Sequence, residues 1–195
     1  MLIDTVKSRT QTLSSGVPQG SVLAPTLFLI YINDMFRCSD SLKFVHFADD
    51  TTVFLSGSNI NELVATVNIE LNRVDTWLIA NKLSLNINKS KYMLTSNRQA
   101  PVNLSIFTRN NNLICATEIN FLGVYIDQKL TFRFHIDQLS KKVSQAIGVI
   151  YRISSFVPYR CLRTLYFSLI QFRLAYGNTA WGGAVQVHID KLLKL

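Results

Sequence analysis

The residues best suited to chemistry are two adjacent carboxylates, Asp49 and Asp50, within the segment KFVHFADDTTVFL. Two carboxylates held side by side repel each other unless a cation compensates their charge. Mg²⁺ prefers hard oxygen ligands and leaves room for water and phosphate oxygens, and two such ions can promote an in-line displacement at phosphorus. The pair is therefore a candidate metal site for phosphoryl or nucleotidyl transfer. Because Asp is common in turns, an ordinary β-turn is the alternative.

The sequence on either side of the pair predicts a β-hairpin over residues 43–55. Both flanks are rich in β-branched and aromatic residues, and the two acidic residues lie at the turn. Downstream, Asn59 and Glu62 form a helix-start signal, and apolar residues at helical spacing predict an amphipathic helix of about five turns over residues 60–78. Upstream, GVPQGSVLAP predicts a shaped turn and a helix from near Ala24 and Pro25. Most faces of that helix are apolar, so we expect it to be buried on several sides.

The rest of the chain predicts short strands followed by helices. LSLNINKSKYML predicts a turn and a strand, residues 102–106 alternate as a strand does, residues 110–112 predict a turn, and residues 113–116 another strand. INFLGVYID predicts one further strand with a central glycine. After Asp127 the apolar spacing becomes helical, with one helix carrying Ile136 to Ile150, a second after Pro158 and a third from near Val187. AYGNTAWGG predicts a loop. The fold class is therefore α+β.

The charge is unevenly distributed, and this suggests a polyanionic partner such as nucleic acid, with a membrane surface or simple solubility as the alternatives. Residues 1–127 contain ten Lys/Arg and ten Asp/Glu, whereas residues 128–195 contain ten Lys/Arg and only Asp137 and Asp190, which accounts for the whole net charge of +8. No apolar stretch is long enough to span a bilayer, and no secretory signal is visible, so we expect an intracellular protein, with nucleus and cytoplasm not distinguished. The three cysteines and three histidines are scattered, which argues against a disulfide framework or a zinc site.

Four ordered motifs together resemble the reverse transcriptases of non-LTR, LINE-type retrotransposons. FADD at residues 47–50 resembles the family's [YF]xDD hairpin, and GVPQGSVLAPTLF at residues 16–28 resembles its Gln-Gly turn and following helix. LSLNINKSKYML resembles the motif that supplies a lysine near the incoming nucleotide, and INFLGVYID resembles the primer grip. The resemblance covers nearly the whole chain. It implies a partial polymerase palm at residues 1–127, with an antiparallel sheet and packed helices, followed by a truncated, all-helical, basic thumb at residues 128–195.

The resemblance also implies roles for individual residues in RNA-directed DNA synthesis. Asp49 would be a metal ligand with Asp50 as an assisting ligand, for two Mg²⁺ ions or Mn²⁺ as an alternative. The substrates would be an RNA template, a DNA primer and dNTPs. Lys89 would be the cation near the triphosphate and a general acid for pyrophosphate, with Lys91 as second choice and a solvent-facing lysine as the alternative for both. Pro18, Gln19 and Gly20 would lie under the template base and nucleotide, with a plain helix-entry turn as the alternative. Phe47 would lie near the primer end, and Ala48 would also contact substrate. Phe121, Leu122 and Gly123 would support the primer strand, with ordinary sheet core as the alternative. Sheet core is the expected role for Leu122.

In the helical part, a set of cations would contact the phosphates of an RNA–DNA duplex, with a solvated helix face as the alternative for each: Lys141, Lys142, Arg152, Arg160 and Arg163. We expect Tyr151, Tyr166 and Trp181 to belong to the core, with stacking platforms for bases as the alternative.

Two features implied by the resemblance are absent from the sequence. The family needs a further catalytic aspartate well before the Gln-Gly turn, and Asp4, the only candidate, lies too close to that turn. The fingers are absent as well, so the missing amino-terminal palm and fingers of the parent protein would be a partner, and we expect the isolated chain to be inactive. A catalytically inactive nucleic-acid-binding remnant is the alternative function. A metal-dependent phosphohydrolase is disfavoured because no histidine or carboxylate cluster accompanies Asp49.

Overall fold

The protein is described by a computed structural model, which covers residues 2–3, 6–7, 16–18, 20–96, 104–109 and 111–194. Ten short strands are described: β1 Leu2–Ile3, β2 Val6–Lys7, β3 Lys43–Phe47, β4 Asp50–Phe54, β5 Lys91–Tyr92, β6 Phe107–Thr108, β7 Asn111–Asn112, β8 Ile114–Cys115, β9 Glu118–Phe121 and β10 Val124–Asp127. Seven α-helices are described: α1 Ala24–Ile32, α2 Ile60–Ala80, α3 Arg133–Ile153, α4 Tyr159–Tyr166, α5 Phe172–Ala175, α6 Asn178–Trp181 and α7 Gln186–Leu193. A 3₁₀ turn spans Met35–Cys38, and a π-helical stretch, Phe167–Gln171, joins α4 to α5. The mixture of helix and sheet is compatible with the predicted α+β class.

The strands pair two by two within these residues. Pairs β1–β2, β3–β4, β6–β7 and β9–β10 are antiparallel hairpins, whereas β5 and β8 pair in parallel. The chain falls into two compact units, one of Met1–Asn86 with Ser105–Asn112 and one of Ile87–Leu104 with Leu113–Leu195. These units are defined by packing, and the functional boundary at residue 127 remains a prediction.

The first unit is organised around α2. The Asn59 side chain caps this helix by accepting a hydrogen bond from the amide of Asn61 (3.0 Å) and donating one to Glu62 (2.9 Å), as the start signal predicted. The buried face of α2 contributes Val74 and Leu78 to a core that also contains Met35 and Leu42 and is flanked by Phe44 and Val53 of the hairpin. Burial of each such aliphatic side chain stabilises the unit by roughly 1.5–3 kcal/mol.

The second unit is organised around α3. Its buried side chains, Ile136, Leu139, Val143 and Ala146, recur at the three- and four-residue spacing that predicted the helix. They pack with Val124 of β10, Ile170 and Trp181. Pro158 caps α4, and α7 begins at Gln186, both close to the predicted positions.

The prediction that α1 is buried on several sides is wrong. Only Ile32 is buried, whereas Leu23, Leu27, Leu29, Ile30 and Tyr31 are between 45% and 68% exposed. The helix is held at one end, where the Tyr31 hydroxyl donates to the carbonyl of Asn81. Apolar composition favours burial, but no element among the described residues covers the other faces.

INFLGVYID is a hairpin rather than the single strand that its pattern predicts. Leu122 and Gly123 have φ angles of +48° and +87°, and the strands on either side pair Phe121 with Val124. Two positive φ angles in a two-residue loop define a type I′ turn, and leucine at its first position disguises the turn in the sequence.

Three smaller predictions also need correction. Residues 111–112 form strand β7 rather than a turn, and residues 178–181 of AYGNTAWGG form a short helix. Tyr151 is 80% exposed and Tyr166 is 42% exposed, so neither is core, whereas Trp181 is buried as predicted. Tyr151 follows the apolar stripe of α3 but lies off the face that packs. The strand predicted over residues 102–106 lies partly outside the described residues, and its described part, Leu104 to Ile106, is not strand. No described helix is long and apolar enough to cross a membrane.

Candidate active site

The predicted hairpin is present as β3 and β4 and carries the two carboxylates at its turn, but the turn begins one residue earlier than predicted. Phe47 pairs with Asp50, so Ala48 and Asp49 form a two-residue loop. Ala48 has a φ of +51°, whereas Asp49 does not have a positive φ, which is the pattern of a type II′ turn. Glycine is preferred at the first loop position, and alanine there stores strain of about 1–2 kcal/mol. The loop therefore presents Asp49 at the tip and Asp50 as the first residue of β4.

The hairpin has a packed face and an open face. Strand alternation and register place Phe44, His46 and Val53 on the face that meets the core of the first unit. The opposite face carries Val45, Phe47 and Asp50, of which Phe47 is 60% exposed. Phe47 and Asp50 are direct cross-strand neighbours, so the structure brings together a predicted primer-end residue and a predicted metal ligand.

Neither carboxylate is engaged by another residue of the described chain. Asp49 and Asp50 are exposed, and neither makes a hydrogen bond or an ion pair with any described side chain. No group of three or more His, Cys, Asp or Glu side chains that could hold a metal ion is found in the described ranges. Two accessible hard-oxygen donors fit Mg²⁺, which commonly binds through one or two carboxylates together with water and substrate phosphates.

His46 lies on the packed face of the hairpin, where it pairs with Thr51 next to the Phe47–Asp50 pair. Its ring stacks on Phe44 with centroids 5.8 Å apart, and Nδ1 lies 3.1 Å from the Thr51 hydroxyl, while Nε2 is buried with no hydrogen-bond partner in the described chain. Burial lowers the pKa of His46 below its usual value of 6.5. The ring is therefore neutral at neutral pH and serves the packing of the hairpin.

The Gln-Gly turn is closed by a hydrogen bond from the amide of Ser21 to the carbonyl of Pro18 (3.2 Å). Gly20 has a φ of +82°, as the third position of a type II turn requires. A residue with a β-carbon would be strained in this conformation. The Ser21 hydroxyl then accepts from the amide of Ala24 (3.1 Å) and so satisfies a free donor at the start of α1. Pro18 and Gly20 are exposed, and Gln19 lies outside the described residues.

The two candidate lysines lie in the second unit, one within a turn and the other just after it. The turn is closed by a hydrogen bond from the amide of Ser90 to the carbonyl of Ile87 (3.0 Å), and it contains Lys89. Lys91 follows as the first residue of β5, paired with Ile114 of β8. Both side chains are exposed, so the choice between them stays a prediction.

The predicted primer-grip residues form the β9–β10 turn and its approach. Leu122 lies at the turn and is exposed, so the expectation that it is sheet core is wrong. The Asn120 side chain accepts from the amide of Gly123 (2.9 Å), and the Tyr176 hydroxyl donates to the carbonyl of Leu122 (2.6 Å). A β-carbon on Gly123 would lie 3.4 Å from the Tyr176 ring, so the ring covers the turn closely.

Tyr176 belongs to AYGNTAWGG, whose role the sequence did not reveal. The Trp181 indole donates to the carbonyl of Tyr176 (2.9 Å), and Trp181 is buried against His135 of α3. Gly182 is required because a β-carbon there would lie 2.5 Å from the backbone oxygen of Asn178. The segment therefore ties the β9–β10 turn to the helices of its unit. The spacing of Tyr, Gly, Trp and Gly was the only hint in this segment of the sequence. The role of these residues could not be inferred from it, because they support the β9–β10 turn, which is distant in sequence.

Asp127 is a second structural residue that sequence reasoning missed. Its carboxylate accepts hydrogen bonds from the amides of Lys129 (3.0 Å), Thr131 (3.1 Å) and Phe132 (2.7 Å) and from the Thr131 hydroxyl (3.0 Å). Partial burial raises the pKa of Asp127, but the hydrogen bonds from Thr131, Phe132 and Lys129 outweigh it, so the pKa is lowered overall. The carboxylate thus fixes the turn that starts α3.

The five predicted phosphate-contacting cations are all exposed, and none forms an ion pair with a described carboxylate. Asp137 is engaged by Lys191 (2.6 Å) and lies 4.0 Å from Arg133. Lys142 lines a depression together with Gly123, Tyr125, Arg173 and Tyr176. One predicted phosphate contact and one predicted primer-grip residue therefore border the same concave surface.

Comparison with known proteins identifies the family. Residues 2–126 match the family model described as "Reverse transcriptase (RNA-dependent DNA polymerase)". The chain is 26% identical to the RNA-directed DNA polymerase from mobile element jockey of Drosophila melanogaster over 97% of its own length, and 27% identical over the same share to the jockey polymerase of Drosophila funebris. It is 26% identical to the probable RNA-directed DNA polymerase from transposon X-element of Drosophila melanogaster over 95% of its length. The chain belongs to the reverse transcriptase family.

The matched relatives are much longer proteins. The chain spans about 22% of each jockey polymerase and 21% of the X-element polymerase. No solved structure matches the chain significantly.

Proposed function

We propose that this chain supplies the carboxy-terminal palm and the thumb of a retrotransposon RNA-directed DNA polymerase, with residues 1–127 as palm and 128–195 as thumb. The observation that supports this most is the hairpin tip. Within the part of the chain that matches the family, Asp49 and Asp50 are adjacent, exposed and free of any described cation, on a hairpin whose other face is anchored in a core.

The residues of this chain have distinct parts in the proposed reaction. Asp49 and Asp50 would hold divalent metal ions, which when bound polarise phosphate oxygens and favour attack by the primer hydroxyl. Phe47, beside Asp50 on the open face, would contact the primer end. The Pro18–Gly20 turn would support the nucleotide, since a glycine allows close backbone approach. Lys89, or Lys91 in its place, would neutralise charge on the triphosphate.

The thumb would hold an RNA–DNA duplex through phosphates. Contacts between phosphates and the five exposed cations of α3 and α4 would position the duplex without reading its base sequence. The β9–β10 turn, supported by Tyr176, would meet the primer strand beside Lys142. Neutralisation of phosphates by these cations makes binding depend steeply on salt.

We further propose that the isolated chain does not extend a primer. Two carboxylates supply few protein ligands for two metal ions, and no third candidate ligand accompanies them in the described ranges. A nucleic-acid-binding remnant is the second candidate function, favoured by the excess of Lys and Arg over Asp and Glu in residues 128–195.

Primer extension on an RNA template with Mg²⁺ and four dNTPs tests both proposals. Wild type, Asp49→Asn and the surface control Asp40→Asn are compared, and binding of an RNA–DNA duplex is measured in parallel. We expect no extension from any of them, with duplex binding retained and weakened by salt. Extension lost only in Asp49→Asn would overturn the proposed inactivity, whereas extension unaffected by Asp49→Asn would overturn the assigned role of the pair.

A further inference from the structure

The corner between α3 and α4 exposes three aromatic rings. Tyr151 is 80% exposed, Phe156 is 85% exposed and Tyr159 is 77% exposed, all within nine residues of chain. None of the three contacts another aromatic ring among the described residues. Three exposed aromatic rings this close together in the chain, at one helix corner, favour a binding surface.

The same corner carries three arginines with no neighbouring carboxylate. Arg152 follows Tyr151 at the end of α3, and Arg160 and Arg163 lie on α4. Tyr159, Arg163 and Phe167, the first residue of the π-helical stretch, recur every four residues on the exposed side. Leu162 and Leu165 lie on the less exposed side. The Arg163 guanidinium lies 5.6 Å from the centre of the Phe167 ring. We call the set Tyr151, Arg152, Phe156, Tyr159, Arg160 and Arg163 the aromatic–basic corner.

The charge of the surrounding segment selects a polyanion as the partner. Between Asp137 and Asp190 the sequence contains six Lys/Arg and no Asp or Glu. An apolar protein partner would need the rings but would gain nothing from uncompensated arginines. The phosphates of a duplex would satisfy these arginines, as proposed above, but a regular duplex hides the faces of its bases within the stack, so the exposed rings require unpaired nucleotides.

We propose that the aromatic–basic corner binds unpaired nucleotides of single-stranded RNA, by stacking bases on its rings and pairing its arginines with the phosphates. Alternating aromatic and cationic side chains are the arrangement by which proteins hold single strands without reading sequence. The choice of RNA rests on the proposed function, in which the template is RNA. Two of the three rings also carry hydroxyls that can hydrogen-bond to a ribose 2′-OH.

Fluorescence anisotropy with a labelled oligouridylate of about 12 nucleotides, within the range of site sizes for single-strand binders, tests the proposal on the whole chain. Tyr159→Ala should weaken binding about tenfold and the triple variant Tyr151→Ala/Phe156→Ala/Tyr159→Ala about a hundredfold or more, with the salt dependence unchanged. Tyr159→Phe keeps the ring and loses only the hydroxyl, so it should bind more tightly than Tyr159→Ala, whereas Tyr159→Leu should resemble the alanine variant. Arg160→Gln should weaken binding and reduce the slope of log affinity against log salt concentration by about 0.7.

Phe36→Ala is the matched control, because Phe36 is 50% exposed with the Arg37 guanidinium 5.8 Å from its ring centre, outside the basic half of the chain. It should leave RNA binding unchanged. Since all the altered side chains are exposed, circular dichroism should show every variant folded.

Three outcomes would overturn the proposal. Wild-type affinity in the triple aromatic variant would mean that the arginines act alone, and equal affinity of Tyr159→Leu and wild type would exclude stacking. Equally tight binding of the corresponding DNA oligomer would overturn the choice of RNA. The proposed polymerase role would fail separately if the wild-type chain bound the single-stranded RNA but did not bind an RNA–DNA duplex.

Discussion

Removal of the Asp127 carboxylate should destabilise the start of α3 substantially. Asp127→Ala leaves three backbone amides and the Thr131 hydroxyl without their acceptor. Each such bond has a net worth of about 1 kcal/mol, and water can replace part of it at a half-buried site. We therefore expect the free energy of unfolding to fall by about 2–3 kcal/mol.

Asp127→Asn sharpens the test because it keeps one carbonyl oxygen and replaces the other with a donor. Asparagine can still accept from the amides of Lys129 and Thr131, as Oδ1 does. It loses both bonds to Oδ2, from the amide of Phe132 (2.7 Å) and from the Thr131 hydroxyl (3.0 Å). The expected cost is about half that of alanine. Urea unfolding, together with hydrogen exchange of the first amides of α3, measures both the size and the location of the effect.

The difference in the free energy of unfolding between wild type and Asp127→Asn should depend on pH, and this provides an internal check. Hydrogen bonds to the ionised carboxylate lower the folded-state pKa of Asp127 below its ordinary 3.8. The stabilisation is therefore fully present above that value and is lost as the pH falls through the folded-state pKa.

Asp190→Ala, which removes a carboxylate bonded to the side chain of Gln186, is the control and should cost less than about 0.5 kcal/mol. A loss below about 0.5 kcal/mol in Asp127→Ala would refute the reasoning.

Three further changes have defined outcomes. Ala48→Gly should stabilise the first unit by about 0.5–1 kcal/mol in urea unfolding. Glycine removes the strain of alanine at φ +51°, and this gain exceeds the cost of the greater conformational entropy that glycine gives the unfolded chain. Gly182→Ala should lower the free energy of unfolding by more than about 2 kcal/mol, because the backbone oxygen of Asn178 cannot move aside, whereas Gly183→Ala, with open space around it, should be neutral. Burial, with Lys142 adding to it, lowers the pKa of His135 below the ordinary value of 6.5. The unfolded chain therefore takes up the proton first, so the free energy of unfolding should fall as the pH drops below 6.5. His135→Gln should flatten that dependence.

Each of these predictions has a clear contradicting result. Destabilisation by Ala48→Gly would mean that the turn does not strain alanine. Equal stability of the Gly182 and Gly183 variants would contradict the packing around AYGNTAWGG. An unchanged pH dependence in His135→Gln would assign the titration to another group, with His46 as the next to be replaced.

Local patterns in the sequence predict the elements that carry their own signals. The β3–β4 hairpin follows from β-branched flanks and a turn-forming pair, and α2 follows from the Asn59 cap and a regular apolar stripe. The same local signals suffice to place Asp49 and Asp50 at the tip of the hairpin. Features of this kind depend on neighbours a few residues away, so one sequence is enough to predict them.

The missed features depend on contacts that are distant in sequence. The turn at Leu122 and Gly123 lacks the usual Asn-Gly or Asp-Gly signal and is supported by Tyr176, which lies far along the chain. The exposure of Tyr151 and of α1 depends on what packs against each helix, which apolar spacing alone does not reveal. In the sequence Asp127 resembles an ordinary strand end, because the turn that its carboxylate holds carries no signal of its own.

The most direct test of the central claim is Mn²⁺ binding, followed by water-proton relaxation, to wild type and to Asp49→Asn/Asp50→Asn. Two accessible carboxylates should bind the ion with a dissociation constant on the order of millimolar, and the double variant should lose this site. Asp40→Asn serves as the control and should bind as wild type does. Loss of binding confined to the double variant is the predicted result, and undiminished Mn²⁺ binding in that variant would contradict the assignment of the hairpin tip as the metal site.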